Sequence, residues 1–335
     1  MKPMLKHVVT IIVLTLVAIG PASADDSRFN RMIAQAMADI STVKGSADLL
    51  CLTNAPYVRS NGQPGIDYLK PIQELTGCSM GSQNLLFFQR PQFYPLSITL
   101  FRGSTGEAVV MTMGKSTFAT EGLQLSRSNL SSKAFWEKTD GLACKSDFFT
   151  IATIAGSWAL GAPYDYLKCA ELHNHLCPGV SSGYLISKMI LDKYPLKKGE
   201  GYTMISSPIW CKEDAFQVLL DLTPGKRGMI VKKLTQEQKN SISVANPAGM
   251  LLITDKKTGA GKGVVFSFDF DRMRTLAPKE SPKAALVFAL VDYLDEPQRF
   301  VTVAKEFEVT GKMAEEMITA GSNPYEVAGL TTLLN

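Results

Sequence analysis

One short pattern occurs twice in this chain. Ile72-Gln73-Glu74-Leu75 is followed by Gly81 and Leu85, and Phe216-Gln217-Val218-Leu219 is followed by Gly225 and Met229, with one offset of 144 residues aligning all of them. An internal repeat constrains the fold before any local reading, because each copy has to build the same supersecondary unit. Strand-like runs follow each copy, at 85–88, 96–101 and 108–113 in the first and at 229–232, 249–254 and 263–268 in the second. Their β-branched and apolar content, punctuated by Gly, Pro and Asn, suits short strands of a sheet. Helical patterns frame them at 29–40, 67–75, 148–160, 180–194, 211–220 and 284–294, with two shorter helices expected up to residue 320. Helices and strands mix without strict alternation, so the expected class is α+β, with mixed sheets and flanking helices. The expected boundaries are a leader at 1–24, a first unit at 25–140, a second unit at 141–280 and a helical C-terminal extension at 281–335.

The leader reading rests on the first residues. Lys2, Lys6 and His7 form a basic start, 8–19 is almost wholly apolar, and Ala22-Ser23-Ala24 gives a small-x-small cleavage pattern, so the mature chain is expected to begin at Asp25. The apolar run is shorter than the roughly 20 residues of a spanning helix, and no later segment is apolar for long enough. The expectation is therefore export to the periplasm with no transmembrane segment after cleavage. Without Lys2 and Lys6 the 35 basic side chains become 33, against 31 acidic ones, and they are dispersed along the chain. That excludes the concentrated basic face of a nucleic-acid binder. The six cysteines, Cys51, Cys78, Cys144, Cys169, Cys177 and Cys211, have irregular spacing and no CxxC pair. Sequence leaves open whether any are disulfide-bonded.

The whole chain has three histidines, and two of them, His173 and His175, are followed at the same step of two by Cys177. Residues at i, i+2 and i+4 of an extended segment project to one side, and imidazole and thiolate are the ligands that zinc and similar metals prefer. The expected cofactor is a divalent transition metal, zinc first. Pro178-Gly179 then opens a helix, placing Cys177 at its N-terminus, where the helix dipole favours thiolate. The small residues Gly179, Ser181, Ser182 and Gly183 leave room for something to approach the backbone. Cys211 and Asp214 lie three apart on the helix at 211–220 and share a face, which Gln217 continues. Cys211 reads either as a fourth ligand or as a small buried apolar residue, and Asp214 as a partner that orients a histidine.

At these residues the chain resembles the FmdE family, a group of proteins named for an operon association with formylmethanofuran dehydrogenase. The family motif His-Gly-His-x-Cys-Pro-Gly, followed by Gly-Tyr, reads here as His173-Asn174-His175-Leu176-Cys177-Pro178-Gly179, then Gly183-Tyr184. A second family motif, Cys-x-x-Asp-Ala-x-Gln-x-Leu-Thr-Gly-Cys-Thr-x-Gly-x-x-Asn-Leu, is split between the copies. Cys211, Asp214, Ala215, Gln217 and Leu219 keep its front, with Leu222 in place of Cys. Gln73, Leu75, Thr76, Gly77, Cys78, Gly81, Asn84 and Leu85 keep its rear, with Asp67 and Lys70 in place of Cys and Asp. The resemblance covers 166–270 well and 48–113 weakly. It implies an α+β core with a metal-type site, and, because the family resembles a dimer former, two units packed as an internal pseudo-dimer with the second copy keeping the site. Cys78 either reaches that site or sits in the core, the latter being favoured. The C-terminal zinc finger of some relatives has no counterpart, since no cysteine follows Cys211.

Function is expected to be the binding of a metal ion or small metallocofactor, for uptake, sensing or delivery. A metal-dependent, hydrolase-like enzyme is the alternative, with metal-activated water and Asp214 or Glu171 as the proton-transfer group. No HExxH helix or nucleophile elbow supports it. A tetrapyrrole site through Cys177-Pro178 ranks below both.

Overall fold

The computed structural model describes residues 27–60, 62–113 and 118–332. The expected leader and its cleavage site lie outside the described residues. The chain divides into two compact units: Met1–Leu176 with Glu280–Phe288, and Cys177–Lys279 with Ala289–Asn335. The first division thus falls inside the His-x-His-x-Cys segment, well after the expected 140/141, and the second unit keeps the C-terminal residues.

In the first unit, strands β1 (Leu49–Thr53), β2 (Leu85–Phe87), β3 (Leu96–Arg102), β4 (Glu107–Met113) and β5 (Phe118–Gln124) form one sheet in the order β2-β1-β3-β4-β5. Strands β1 and β2 are parallel and the other pairs antiparallel. The parallel pair needs a crossover, supplied by helix α2 (Leu69–Thr76). It ends at Gly77, whose φ of 73° is left-handed and whose N–H closes on the Gln73 carbonyl. Helix α1 (Ser27–Asp39) packs Phe29, Ile33 and Ala36 into the same core as Ile72, Leu49, Leu85, Ile98 and Met111. Each such large apolar side chain contributes about 1.5–3 kcal/mol by leaving water.

In the second unit, β6 (Glu200–Ser206), β7 (Met229–Val231), β8 (Pro247–Asp255), β9 (Gly261–Phe268) and β10 (Val301–Val309) form a sheet in the order β10-β9-β8-β6-β7. Here β6 and β7 are the parallel pair and the rest are antiparallel. The strand order and directions are those of the first sheet. One residue row makes the match concrete: Leu85, Cys51, Leu100, Val109 and Gly122 pair in sequence across the first sheet, and Met229, Met204, Leu251, Val264 and Glu306 across the second. Leu85 and Met229 are two of the residues aligned by the 144-residue offset.

Strand β10 corrects the expectation of a purely helical C-terminus. The run Val301-Thr302-Val303-Ala304-Lys305-Glu306-Phe307-Glu308-Val309 lies at the sheet edge, largely exposed, with Phe307 and Val309 turned toward the core and charged side chains outward. Its Ala, Lys and Glu content favours helix locally, and pairing with β9 overrides that preference. The expected helices near 284 and before 320 are present as Lys283–Val291 and Gly311–Ile318. Among the described residues no helix is long and apolar enough to cross a membrane.

Candidate metal centre

Helix α3 (Lys145–Ala159) and helix α4 (Tyr164–His173) lead to the cluster, and helix α5 (Pro178–Lys193) leaves it. The segment is therefore not the extended strand that the spacing suggests. His173 is the last residue of α4. Asn174 caps that helix in the left-handed conformation, with φ of 62°, a region that Asn tolerates better than most residues. Cys177 is the N-cap of α5, with Pro178 at the first helical position, where a missing N–H costs nothing. A helix end, a left-handed turn and a helix start bring the three side chains together more tightly than an alternating strand would. One ligand atom from each of His173, His175 and Cys177 lies within 4.8 Å of the others.

Tetrahedral zinc with bonds of about 2.0–2.3 Å spaces its ligands about 3.3–3.8 Å apart. The side chains therefore need to close by no more than about 1.5 Å. Two imidazoles and a thiol form a donor set that fits zinc or a similar metal. The rings of His173 and His175 are 4.4 Å apart between centroids, and Phe149 meets the His175 ring edge-on at 5.2 Å. From the same helix, one turn on, the Thr153 hydroxyl accepts from the Leu176 N–H at 3.1 Å. Helix α3 thus holds both the ring and the backbone of this segment.

Cys177 is buried, and its Sγ accepts from the Val180 N–H at 3.5 Å. Its thiol is nonetheless pushed far above the ordinary range, first by a hydrogen bond with Cys211 and then by burial, with the α5 N–H groups pulling the other way. The helix N-terminal N–H groups favour thiolate, as expected, while the second thiol and burial push the other way.

Cys211 immediately precedes helix α6 (Lys212–Leu220). The room left by the small residues of α5 is taken by this helix start. A Cβ on Gly179 would lie 3.2 Å from Cys211 Sγ, and one on Gly183 would lie 2.4 Å from the Lys212 carbonyl oxygen. Beneath Cys211, the Lys212 side chain is fully buried, paired with Glu213 and with the Pro208 carbonyl, its ammonium 3.7 Å from the Trp210 ring centroid. Glu213 also accepts from the Ser206 hydroxyl and the Trp210 N–H, and Trp210 Nε1 donates to Ser182 Oγ at 2.8 Å. Burial pulls Lys212 down to about 8 even though Glu213 opposes the shift.

The other expected residues fall as follows. Gln217 Nε2 donates to Asp214 Oδ1 at 3.2 Å on α6. Tyr184 is fully buried within α5, with the Lys188 ammonium 6.0 Å from its ring centroid. Cys78 lies in the core of the first unit beside Cys51, its thiol directed at the Leu49 carbonyl. Glu171, on α4, accepts from the Tyr57 hydroxyl and pairs with Lys168. No disulfide joins Cys51, Cys78, Cys144, Cys169, Cys177 and Cys211 among the described residues. Arg90, Asp147, Phe149 and Thr153, which surround the histidine segment, carry no short-range motif that could have flagged them.

The α+β fold and a His-His-Cys group at metal-binding distance define a protein with a candidate metal centre. A family model described as "FmdE, Molybdenum formylmethanofuran dehydrogenase operon" matches residues 172–296, so the chain is similar to that family over this stretch. Among curated proteins none matches the chain.

Proposed function

We propose that this chain is an exported, periplasmic metal-binding protein. It holds one divalent transition metal, zinc first, through His173, His175 and Cys177, with Cys211 as the fourth ligand, for uptake, sensing or delivery of a metal or small metallocofactor. The observation that carries the reading is the convergence of three soft-metal donors within 4.8 Å of one another. The hydrogen bond between Cys177 and Cys211 favours a shell closed by protein over one completed by water, and so favours binding over metal-activated hydrolysis. The shared strand order of the two sheets supports an origin by duplication, with the second copy keeping the site.

Cobalt(II) serves as the spectroscopic stand-in for zinc. Titrating it into the reduced mature chain is expected to give intense visible bands of tetrahedral cobalt and a near-ultraviolet thiolate-to-cobalt band. That band should fall to about half in either Cys177→Ser or Cys211→Ser and vanish when both are changed. Unchanged intensity in Cys211→Ser would remove Cys211 from the ligands and turn the reading toward an open, water-bearing site. No bands in the parent chain would sink the metal reading.

A further inference from the structure

Cys177 and Cys211 both belong to the second unit, and their thiols are hydrogen-bonded to each other. The backbone holds them there. Cys177 is the N-cap of α5, and its Sγ sits over the first turn, 3.5 Å from the Val180 nitrogen. Cys211 comes to the same turn from the start of α6: a Cβ on Gly179 would lie 3.0 Å from Cys211 Cβ and 3.2 Å from its Sγ. A residue without a side chain at 179 is what admits that sulfur. One turn further along α5, Gly183 admits the Lys212 backbone in the same way. Two sulfurs in contact on two closely packed helix starts need only draw together to the disulfide length of about 2.05 Å. The other cysteines differ in access. Cys51, Cys78, Cys144 and Cys169 are at most 1% exposed, whereas Cys211 is half-buried.

We propose that Cys177 and Cys211 form a reversible disulfide that competes with the metal, so that exchange with an external disulfide decides whether the centre is loaded. Cys211, the more accessible thiol, loses its proton to solvent and attacks one sulfur of the external disulfide, giving a mixed disulfide and releasing one thiolate. Cys177 then loses its proton and attacks Cys211 Sγ, forming the Cys177–Cys211 bond and releasing the second thiolate. The two released thiolates take up the two protons, so two protein thiols are oxidised and one external disulfide is reduced to two thiols. Zinc and similar metals take sulfur as thiolate. The disulfide therefore removes both sulfur donors at once and leaves His173 and His175 alone. The competition rests on the metal reading above; the pairing of the two thiols does not.

The test uses the full chain, reduced and stripped of metal, equilibrated with mixtures of oxidised and reduced glutathione. Samples are quenched with acid, alkylated and peptide-mapped by mass spectrometry. The expected product is one cross-link joining Cys177 to Cys211, with Cys51, Cys78, Cys144 and Cys169 alkylated. The far-ultraviolet circular dichroism of the cross-linked chain should match that of the reduced one, and excess reduced glutathione should open the bond. The equilibration is then repeated with free zinc buffered at about 100 times its dissociation constant for the reduced chain. The ratio of oxidised glutathione to the square of reduced glutathione at half-oxidation should rise by about 100-fold. No Cys177–Cys211 cross-link under excess oxidised glutathione, or one found only in a chain that has lost its circular dichroism, would overturn the pairing. A midpoint that zinc does not move, in a chain whose reduced form binds zinc, would overturn the competition. A cross-link that forms in a chain whose reduced form takes up no zinc would overturn the metal reading, and the competition with it, while leaving the pairing standing.

Discussion

The two sheets have the same strand order, yet the helix that joins their parallel strands starts differently in each unit. At the start of α2 the buried side chain is Tyr68, 2% exposed and packed edge-on against Phe29 at 5.0 Å. One step of 144 residues later, at the start of α6, the buried side chain is Lys212, 0% exposed, with Glu213, Ser206, Trp210 and Pro208 gathered around its charge. A tyrosine on an aromatic neighbour holds its helix by apolar burial. A buried lysine survives only while every polar neighbour is in place. The second arrangement is costly to build and stiff once built, and the residue it fixes is Cys211. The difference teaches that one topology serves as plain core in the first unit and as the footing of a thiol in the second.

Disrupting the footing should cost most. Lys212→Met leaves Glu213 buried without its cation and should lower the stability of the second unit by about 3–5 kcal/mol, read from denaturant unfolding. Tyr68→Phe should cost well under that, and equal losses would remove the distinction between the two helix starts. The same lysine gives a pH signature. Its folded pKa of about 8 lies below the unfolded value of about 10.4. Between these values the unfolded chain binds the extra proton, so stability rises with pH through that window. The gain is at most about 3 kcal/mol by pH 10.5 and is flat below about pH 8. Lys212→Met should abolish this rise, seen as the difference between the two unfolding profiles.

A smaller effect tests the close approach of α5 and α6. Gly183→Ala places a methyl against the Lys212 backbone and should cost about 1–3 kcal/mol. Gly81→Ala, whose added carbon would meet nothing nearer than Ser79 Oγ at 3.9 Å, should stay within about 0.5 kcal/mol of the parent. Smallest in stability, but decisive for the site, is the comparison of two cysteines. Cys211→Ser should weaken zinc about 10–100-fold in a chelator competition, whereas Cys78→Ser should leave zinc affinity unchanged and cost only core packing. A loss of affinity in Cys78→Ser would add Cys78 to the site.

What sequence revealed and what it concealed divide along range. Strands near 96, 108, 249 and 263 were legible as β-branched and apolar runs bounded by Gly, Pro and Asn, and the helix over 180–194 from Pro178 at its start and Tyr194-Pro195 at its end. Strand β1, Leu-Leu-Cys-Leu-Thr, is buried on both faces and shows no alternation, so nothing in it distinguishes strand from buried helix. The spacing of His173, His175 and Cys177 correctly announced convergence, but for an extended segment. The turn at Asn174 and the cap at Cys177 achieve it instead. Arg90 and Asp147 reach the site from far along the chain, and only the fold brings them to Asn174.

The most direct test of the metal centre is the metal content of anaerobically purified protein, measured by mass spectrometry beside the His173→Ala/His175→Ala double variant. About one zinc or similar ion per chain, lost in the double variant while its fold persists by circular dichroism, is the predicted result. No metal in either protein, or equal metal in both, would contradict a centre built on these residues.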